Sequence, residues 1–199
     1  MSKIAVDIVL LPDETVSAQA VAVNRDLVER YGRHIVLDGE HLPHISLAMG
    51  CIETEDIEPA RRDLEVVARE CPPGDLVITG IATILNAAAR QISSFLLAQT
   101  EALHALHERV MTEMQAYFTY DVAAQMVYGD QEVAETTLGW ICTYPEKAAF
   151  RAFYPHITLG YGSVSSPMIF PIPCKASRLA LCHLGNHCTC RKVLVSIDY

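Results

Sequence analysis

The sequence predicts a chain of mixed helices and strands, in which two similar halves each carry one copy of the same phrase. An eight-residue phrase at 43–50 returns at 155–162, with Pro, His, Ile, Leu and Gly in register and a hydroxyl two residues after each histidine. Such a match arises by chance on the order of once in a hundred chains of this length. Apolar runs with the period of strands alternate with runs at helical spacing, and turn residues separate them.

Each phrase predicts a strand whose two faces differ in chemistry. Successive strand side chains point to opposite faces, so His44 and Ser46 share one face and the apolar residues beside them share the other. His156 and Thr158 are placed in the same way in the second phrase. We expect the apolar faces to pack on the core and the polar faces to line a cleft.

The first half predicts a strand, a helix, the phrase strand, a second helix and a hairpin. The apolar run from Ile4 to Leu11 predicts a buried strand, and the helix that follows ends at Gly32. Thr54 is expected to cap the second helix. The predicted elements are strands at 4–11, 35–37, 43–50, 76–85 and 91–97 and helices at 16–31 and 55–70, with the last two strands paired through a turn at 86–90.

The second half predicts two helices, the second phrase and a terminal hairpin. Thr100 is expected to cap a helix that reaches about Phe118, and a shorter helix ends at Pro145. Strands at 179–184 and 189–197 flank Gly185-Asn186, which is a hairpin signal.

Asp7 is the charged residue within the first apolar run. One interpretation places it on a solvent-facing strand edge. The other makes it a carboxylate that faces the cleft and orients a histidine or a ribose hydroxyl. The sequence leaves both open.

Composition narrows the class of partner. The chain has 15 basic and 24 acidic residues among 199, a formal charge of −9, and 51% of its residues are hydrophobic. Nucleic-acid affinity depends on Lys and Arg displacing counterions, so an extended nucleic-acid surface is not expected. Any such substrate should be small or held at one end.

The lack of a recognisable targeting signal and the scattered cysteines are typical of a cytoplasmic protein. The first residues lack a cleavage site, and charge or Gly interrupts every apolar stretch before it could span a bilayer. Seven scattered cysteines are then expected to be reduced thiols. We expect a soluble cytoplasmic protein.

Two histidine groups lie outside the phrases. His104 and His107 are expected off the apolar stripe of their helix, on a solvated face. The terminal hairpin carries Cys and His residues dense enough to consider zinc, although adjacent strand residues point to opposite faces and Cys-x-Cys is not a zinc-knuckle pair. These hairpin residues are Cys182, His183, His187, Cys188 and Cys190. Core thiols are the preferred interpretation.

Two imidazoles and two hydroxyls around one point suit phosphoryl chemistry without a metal. Near neutral pH one imidazole can be a base while the other is an acid, and hydroxyls can donate to the oxygens of an anion.

His44-Ile45-Ser46-Leu47 and His156-Ile157-Thr158-Leu159 resemble the paired His-x-(Ser/Thr)-x motifs of the 2H phosphoesterase superfamily, which includes bacterial RNA 2′,5′-ligase and cyclic phosphodiesterase proteins. The resemblance spans the chain. It implies an α+β fold in which two pseudo-symmetric lobes, with antiparallel sheets, form a central groove and carry helices on the outside. One domain over 1–199 is implied, with interleaved lobes and approximate halves at 1–98 and 99–199.

The same resemblance implies a monomeric enzyme without a cofactor or metal that acts on a 2′,3′-cyclic phosphate or a 2′,5′ linkage at a nucleotide or RNA end. His44 and His156 would be the catalytic pair, in roles that the sequence does not assign, and Ser46 and Thr158 would bind phosphate.

Three further residues are candidates for substrate contact. Tyr154 lies two residues before His156 and is expected on its face, and Tyr161 joins that face only if Gly160 or Gly162 introduces a bulge. Arg151 is a loop candidate for a second phosphate contact.

Many family members carry a basic or aromatic groove residue on the first strand, whereas this chain has Asp7 there and an acidic net charge. Both differences favour a small substrate or the end of a longer one. A groove that binds a nucleotide or RNA end without turnover is the alternative from another class. A zinc-dependent structural protein is the third hypothesis.

Overall fold

The computed structural model describes residues 2–32, 35–86, 88–129 and 132–199, which form four α-helices and eight strands. The strands are β1 (Lys3–Pro12), β2 (Ile45–Glu53), β3 (Leu76–Leu85), β4 (Gln91–Leu97), β5 (His156–Tyr161), β6 (Ile172–Cys174), β7 (Ala176–Leu184) and β8 (Cys190–Asp198). The helices are α1 (Glu14–Tyr31), α2 (Ile57–Glu70), α3 (Glu101–Met114) and α4 (Glu135–Lys147).

The strands form two four-stranded antiparallel sheets. The first sheet has the order β2-β1-β7-β8 and the second has the order β5-β4-β3-β6. The phrase strands β2 and β5 are therefore edge strands, one in each sheet. The predicted α+β class with two similar antiparallel sheets is confirmed.

Each sheet takes two strands from each half of the sequence, and the helices cross between sheets. Helix α1 connects β1 to β2 in the first sheet but packs against β5 of the second. Helix α3 follows β4 of the second sheet and packs against β2 of the first. This interleaving brings the two phrases together. The single-domain assignment with halves at 1–98 and 99–199 stays a prediction.

The helices and strands that were predicted well are those with clear local signals in the sequence. Asp13 caps α1 by accepting from the Val16 amide at 3.0 Å, and Gly32 ends it with a φ of 91°. Thr100 caps α3 as expected, accepting from the Leu103 amide at 3.2 Å. Strands β3 and β4 have the predicted bounds and form the predicted hairpin.

Several predicted elements were wrong. Residues 35–37 are not a strand, and Thr54 starts a 3-10 turn over Thr54–Asp56 rather than capping α2. Helix α3 ends at Met114 instead of Phe118, and α4 continues two residues past Pro145. Strand β6 was missed because Pro173 lies in it; the strand is at a sheet edge, where a missing amide donor is tolerated.

Cys182 and Cys190 are joined by a disulfide between β7 and β8. This corrects the expectation that all seven cysteines are reduced thiols. The free cysteines are Cys51, Cys71, Cys142, Cys174 and Cys188. In the part of the chain that the structure describes, no helix is long and apolar enough to cross a membrane.

Candidate active site

The two phrase strands meet where the sheets approach each other. Strands β2 and β5 are in contact. Burial is the largest cause that lowers the pKa of His44, and the positive charge that His156 can carry lowers it further, so the two rings also interact electrostatically. The sequence-predicted pair therefore belongs to one site.

Both histidines are held by the same backbone geometry. His44 Nδ1 lies 2.8 Å from the carbonyl oxygen of Leu42, and His156 Nδ1 lies 2.8 Å from that of Tyr154. In each case the carbonyl belongs to the residue before the phrase proline. Since a carbonyl only accepts, Nδ1–H donates, and Nε2 is the nitrogen left to exchange protons.

Burial adjusts the acidity of both rings in the same direction. It lowers the pKa of His44 and of His156, while the carbonyl contacts partly oppose the shift. The charge of His156 adds to the lowering at His44. A pair of this kind carries one proton more readily than two.

Each phrase strand contains a β-bulge at its leucine. In the first sheet Ile8 pairs with Ala48 and Val9 with Ser46, so Leu47 is the extra residue. In the second sheet Ser93 pairs with Gly160 and Ser94 with Thr158, so Leu159 is the extra residue. The sequence repeat is thus repeated in the backbone irregularity beside each histidine.

The bulge in β5 changes which side chains share the site face. Tyr161 pairs with Ile92, and Thr158 pairs with Ser94, two residues further along β4. Paired residues point the same way, so Tyr161 lies on the face of Thr158. The bulge that the sequence analysis required for Tyr161 is present, with Gly160 at a φ of 141°.

A buried side chain satisfies each bulge carbonyl. His107 Nδ1 donates to the Leu47 oxygen at 2.7 Å, and Asn24 Nδ2 donates to the Leu159 oxygen at 2.7 Å. We call these two side chains the bulge bridges. The expectation of a solvated face was wrong for His107: it lies one turn after Leu103, on the buried stripe, and has no exposed surface.

Each bulge bridge also holds the segment that leads into the other phrase. His107 Nε2 accepts from the Phe150 amide at 2.7 Å, upstream of His156. Asn24 donates to the Ile35 oxygen at 2.9 Å and accepts from the Leu37 amide at 2.8 Å, upstream of His44. Each bridge therefore ties the two phrases together.

Asp7 is fully buried in β1, the neighbour of β2. Its Oδ2 accepts from Ser46 Oγ at 2.6 Å and lies 3.8 Å from His44 Nε2. The interpretation as a solvent-facing edge residue was wrong, because β1 is an inner strand. The carboxyl lies beside the His44 motif, and its role in orienting a histidine or a ribose hydroxyl stays a prediction.

The remaining candidates are placed as follows. Tyr154 precedes β5, so strand period does not place its ring; the side chain is exposed, and its stacking on a base stays a prediction. The backbone carbonyl of Tyr154 holds His156. Arg151 is exposed in a 3-10 turn, and its contact with phosphate stays a prediction. Arg90 was missed: its guanidinium lies 5.7 Å from the centre of the Tyr161 ring.

The sequence contained signals for some missed residues. Asn24 is four residues after Ala20 and therefore lies on the buried apolar face of its helix. A polar residue at such a position indicates a buried hydrogen bond. His107 has the same spacing from Leu103. Nothing local pointed to Arg90, whose position depends on the β4–β5 register.

Metal binding finds no support in the terminal hairpin. The disulfide occupies two of its cysteines, and His183 Nε2 contacts the Met126 oxygen at 2.9 Å. Nowhere in residues 2–32, 35–86, 88–129 or 132–199 do three or more His, Cys, Asp or Glu side chains converge as a metal site would need.

Comparisons with known proteins agree with the geometry. Residues 15–181 match the model of the 2′-5′ RNA ligase superfamily. The structure of E. coli LigT in apo form has a TM-score of 0.51 at 16% identity, covering 100% of this chain and 98% of that one. E. coli LigT complexed with 3′-AMP has a TM-score of 0.47 at 13% identity, covering 99% and 98%. No curated relative matches the sequence.

Proposed function

Because the chain belongs to the 2′-5′ RNA ligase superfamily, we propose that it is a phosphodiesterase for a 2′,3′-cyclic phosphate or a 2′,5′ linkage at a nucleotide or RNA end. His44 and His156 are its acid and base, and no metal ion is needed. The supporting observation is the matched geometry of the two rings, each with Nδ1 on a carbonyl at 2.8 Å.

This geometry suits two-step proton transfer. One Nε2 accepts a proton from water as the water oxygen attacks phosphorus, and the other Nε2–H protonates the ribose oxygen that leaves. In the reverse direction the roles exchange. Positioned acids and bases of this kind typically contribute roughly 10²–10⁴-fold each.

The motif hydroxyls suit the charge that develops at phosphorus. Within the described residues, the hydroxyl of Thr158 makes no hydrogen bond to another side chain or backbone atom, so it can donate to a phosphoryl oxygen. Ser46 lies on the equivalent position of the other motif. Its proton is engaged by Asp7, at 2.6 Å.

The surroundings favour a small substrate. Tyr161 and Arg90 extend the face of Thr158, where a base could stack on the ring and a phosphate could meet the guanidinium. The formal charge of −9 gives little attraction for a long polynucleotide.

The test is hydrolysis of adenosine 2′,3′-cyclic phosphate and of 2′,5′-linked ApA in EDTA near pH 7. The variants are His44→Asn and His156→Asn, since the Asn amide can still donate to the backbone carbonyl but lacks Nε2. His104→Asn, on the exposed side of α3, is the matched control. We expect turnover to fall at least about 100-fold in both site variants and to be unchanged in the control.

The outcomes separate the hypotheses. A 2′-phosphate product from the cyclic substrate identifies the 3′ oxygen as the leaving group. Full activity in both site variants would refute the catalytic assignment. Tight binding of adenosine 2′-monophosphate without any hydrolysis would favour the binding module.

A further inference from the structure

Asp7 has an environment that is unusual for an acidic side chain. It is fully buried, and its Oδ2 is shared between Ser46 Oγ at 2.6 Å and His44 Nε2 at 3.8 Å. Its Oδ1 is buried without a hydrogen-bond partner among the described residues. An ionised carboxylate would normally have several donors in such a place.

The groups that face Asp7 do not favour its charge. His44 immediately precedes β2, Tyr144 lies on α4 and Cys188 lies in the turn at Asn186–Cys188. On β7, the pairing partner of Asp7 is Cys182, which is held in the disulfide. Burial raises the pKa of Asp7 well above its usual range, and the Ser46 contact offsets this only in part. The neutral carboxylic acid is the form that suits this environment.

The internal repeat provides a comparison within the molecule. Asp7 pairs with Met49 one step beyond the β2 bulge, and Ile92 pairs with Tyr161 one step beyond the β5 bulge. Asp7 and Ile92 are therefore equivalent positions. The Asp7 carboxyl lies 2.6 Å from Ser46 Oγ, whereas the corresponding strand position beside the Thr158 motif carries an aliphatic side chain.

We propose that Asp7 is a positioning residue that acts through Ser46: its carboxyl O–H donates to Ser46 Oγ, so that the Ser46 hydroxyl donates its own proton to a phosphoryl oxygen of the substrate. The proposal rests on the proposed function, because it assigns a phosphate ligand to the same site. Without a ligand, Ser46 donates to Asp7; phosphate binding reverses the direction of that hydrogen bond.

An ionised Asp7 would do the opposite. It would keep the Ser46 proton, turn the lone pairs of Ser46 toward the substrate and add a negative charge near the phosphate. The protonation of Asp7 thus decides whether the first motif attracts or repels an anion, while the second motif is unaffected.

The binding test uses adenosine 2′-monophosphate and calorimetry from pH 6 to pH 9. The variants are Asp7→Asn, whose amide N–H can replace the carboxyl O–H, Asp7→Ile, which copies the Ile92 environment, and Ser46→Ala. We expect Asp7→Asn to bind within about threefold of wild type at pH 7 and to lose the weakening that wild type shows at alkaline pH. Ser46→Ala should weaken binding about tenfold in wild type and Asp7→Asn alike, the magnitude of a hydrogen bond to a charged group.

The sign of the Asp7→Ile effect decides between a neutral and an ionised carboxyl. We expect weaker binding, because Ser46 loses the donor that orients it. Tighter binding in both Asp7→Ile and Asp7→Asn at pH 7 would overturn the proposal, since it would mean that wild type carries a repelling charge.

An infrared measurement tests the proposal without any ligand or turnover. At pH 7 the wild-type protein should show a carboxylic-acid carbonyl band that is absent in Asp7→Asn and shifted in Ser46→Ala. Absence of this band overturns the proposal even if the enzyme is active. Its presence in a protein that binds no nucleotide would count against the proposed function alone.

Discussion

The buried hydrogen bonds of His107 predict that the protein loses stability at acid pH and that this loss can be assigned to the His107 side chain. Both ring nitrogens are engaged at 2.7 Å, Nδ1–H on the Leu47 oxygen and Nε2 on the Phe150 amide, and the ring stacks on Phe153 at 3.9 Å. A proton on Nε2 would face the Phe150 N–H, donor against donor. Burial, the largest cause, lowers the pKa of His107 to about 4.

The sign and the size of this loss of stability follow from the difference between the folded-state and unfolded-state pKa of His107. In the unfolded chain the ring takes up a proton near pH 6.5, whereas in the folded protein it does so only near pH 4, so the unfolded state binds more protons between these values. The contribution of the neutral His107 ring to the free energy of unfolding is therefore fully present above pH 6.5 and is lost as the pH falls toward 4. The loss amounts to roughly 3 kcal/mol.

The assay is urea unfolding at pH 4 to 7 for wild type and His107→Gln. A glutamine amide can donate to the Leu47 oxygen and accept from the Phe150 amide, but it does not titrate. We expect wild type to lose about 3 kcal/mol more than the variant over this range. Contributions from other titrating groups, including Asp7, cancel in the difference.

His104→Gln is the matched control, since His104 lies on the same helix with its side chain 40% exposed. It should keep most of the pH dependence of wild type, because the charge of His104 is a smaller cause of the lowered His107 pKa than burial. Equal pH slopes in wild type and His107→Gln would refute the assignment of His107 as a neutral bridge between two backbone groups.

Three further predictions concern other residues that stabilise the fold. Asn24→Leu leaves buried backbone groups unpaired, so urea unfolding should show a loss of about 3 kcal/mol; no loss would contradict the bridge. Gly162 has a φ of 100° and no room for a Cβ against the Tyr31 ring, so Gly162→Ala should cost at least about 2 kcal/mol in the same assay. Unfolded, unreduced protein should alkylate at five cysteines by mass spectrometry, and seven would exclude the Cys182–Cys190 disulfide.

The sequence was informative where a single element determines the outcome. The apolar runs of β1, β3 and β4, the cap Thr100, the helix end at Gly32 and the repeated phrase depend on neighbours a few residues away. The family was predicted correctly from the repeat, because a motif that occurs twice in register carries far more information than one that occurs once. The catalytic role of the two histidines, inferred from the same repeat, stays a prediction.

Features that depend on pairing between distant strands were missed. The bulges at Leu47 and Leu159 exist only because β1 and β4 offer one residue fewer than their partners. The burial of Asp7 depends on β7, which lies far along the chain, covering its other side. Strand period alone therefore left the face of Asp7 open and could not show how deeply the residue is buried.

The two motifs share a backbone but differ in the side chains around them. One bulge is bridged by a titratable His107 and the other by Asn24. The strand residue one step beyond the bulge is Asp7 beside the first motif and Ile92 beside the second. A hydrolysis that needs one acid and one base at the same pH needs the singly protonated state of the pair, which two coupled rings populate even when they are equivalent. Since the repeated backbone holds both rings by the same Nδ1 contact, we expect the unequal neighbours to decide which of the two rings carries the shared proton.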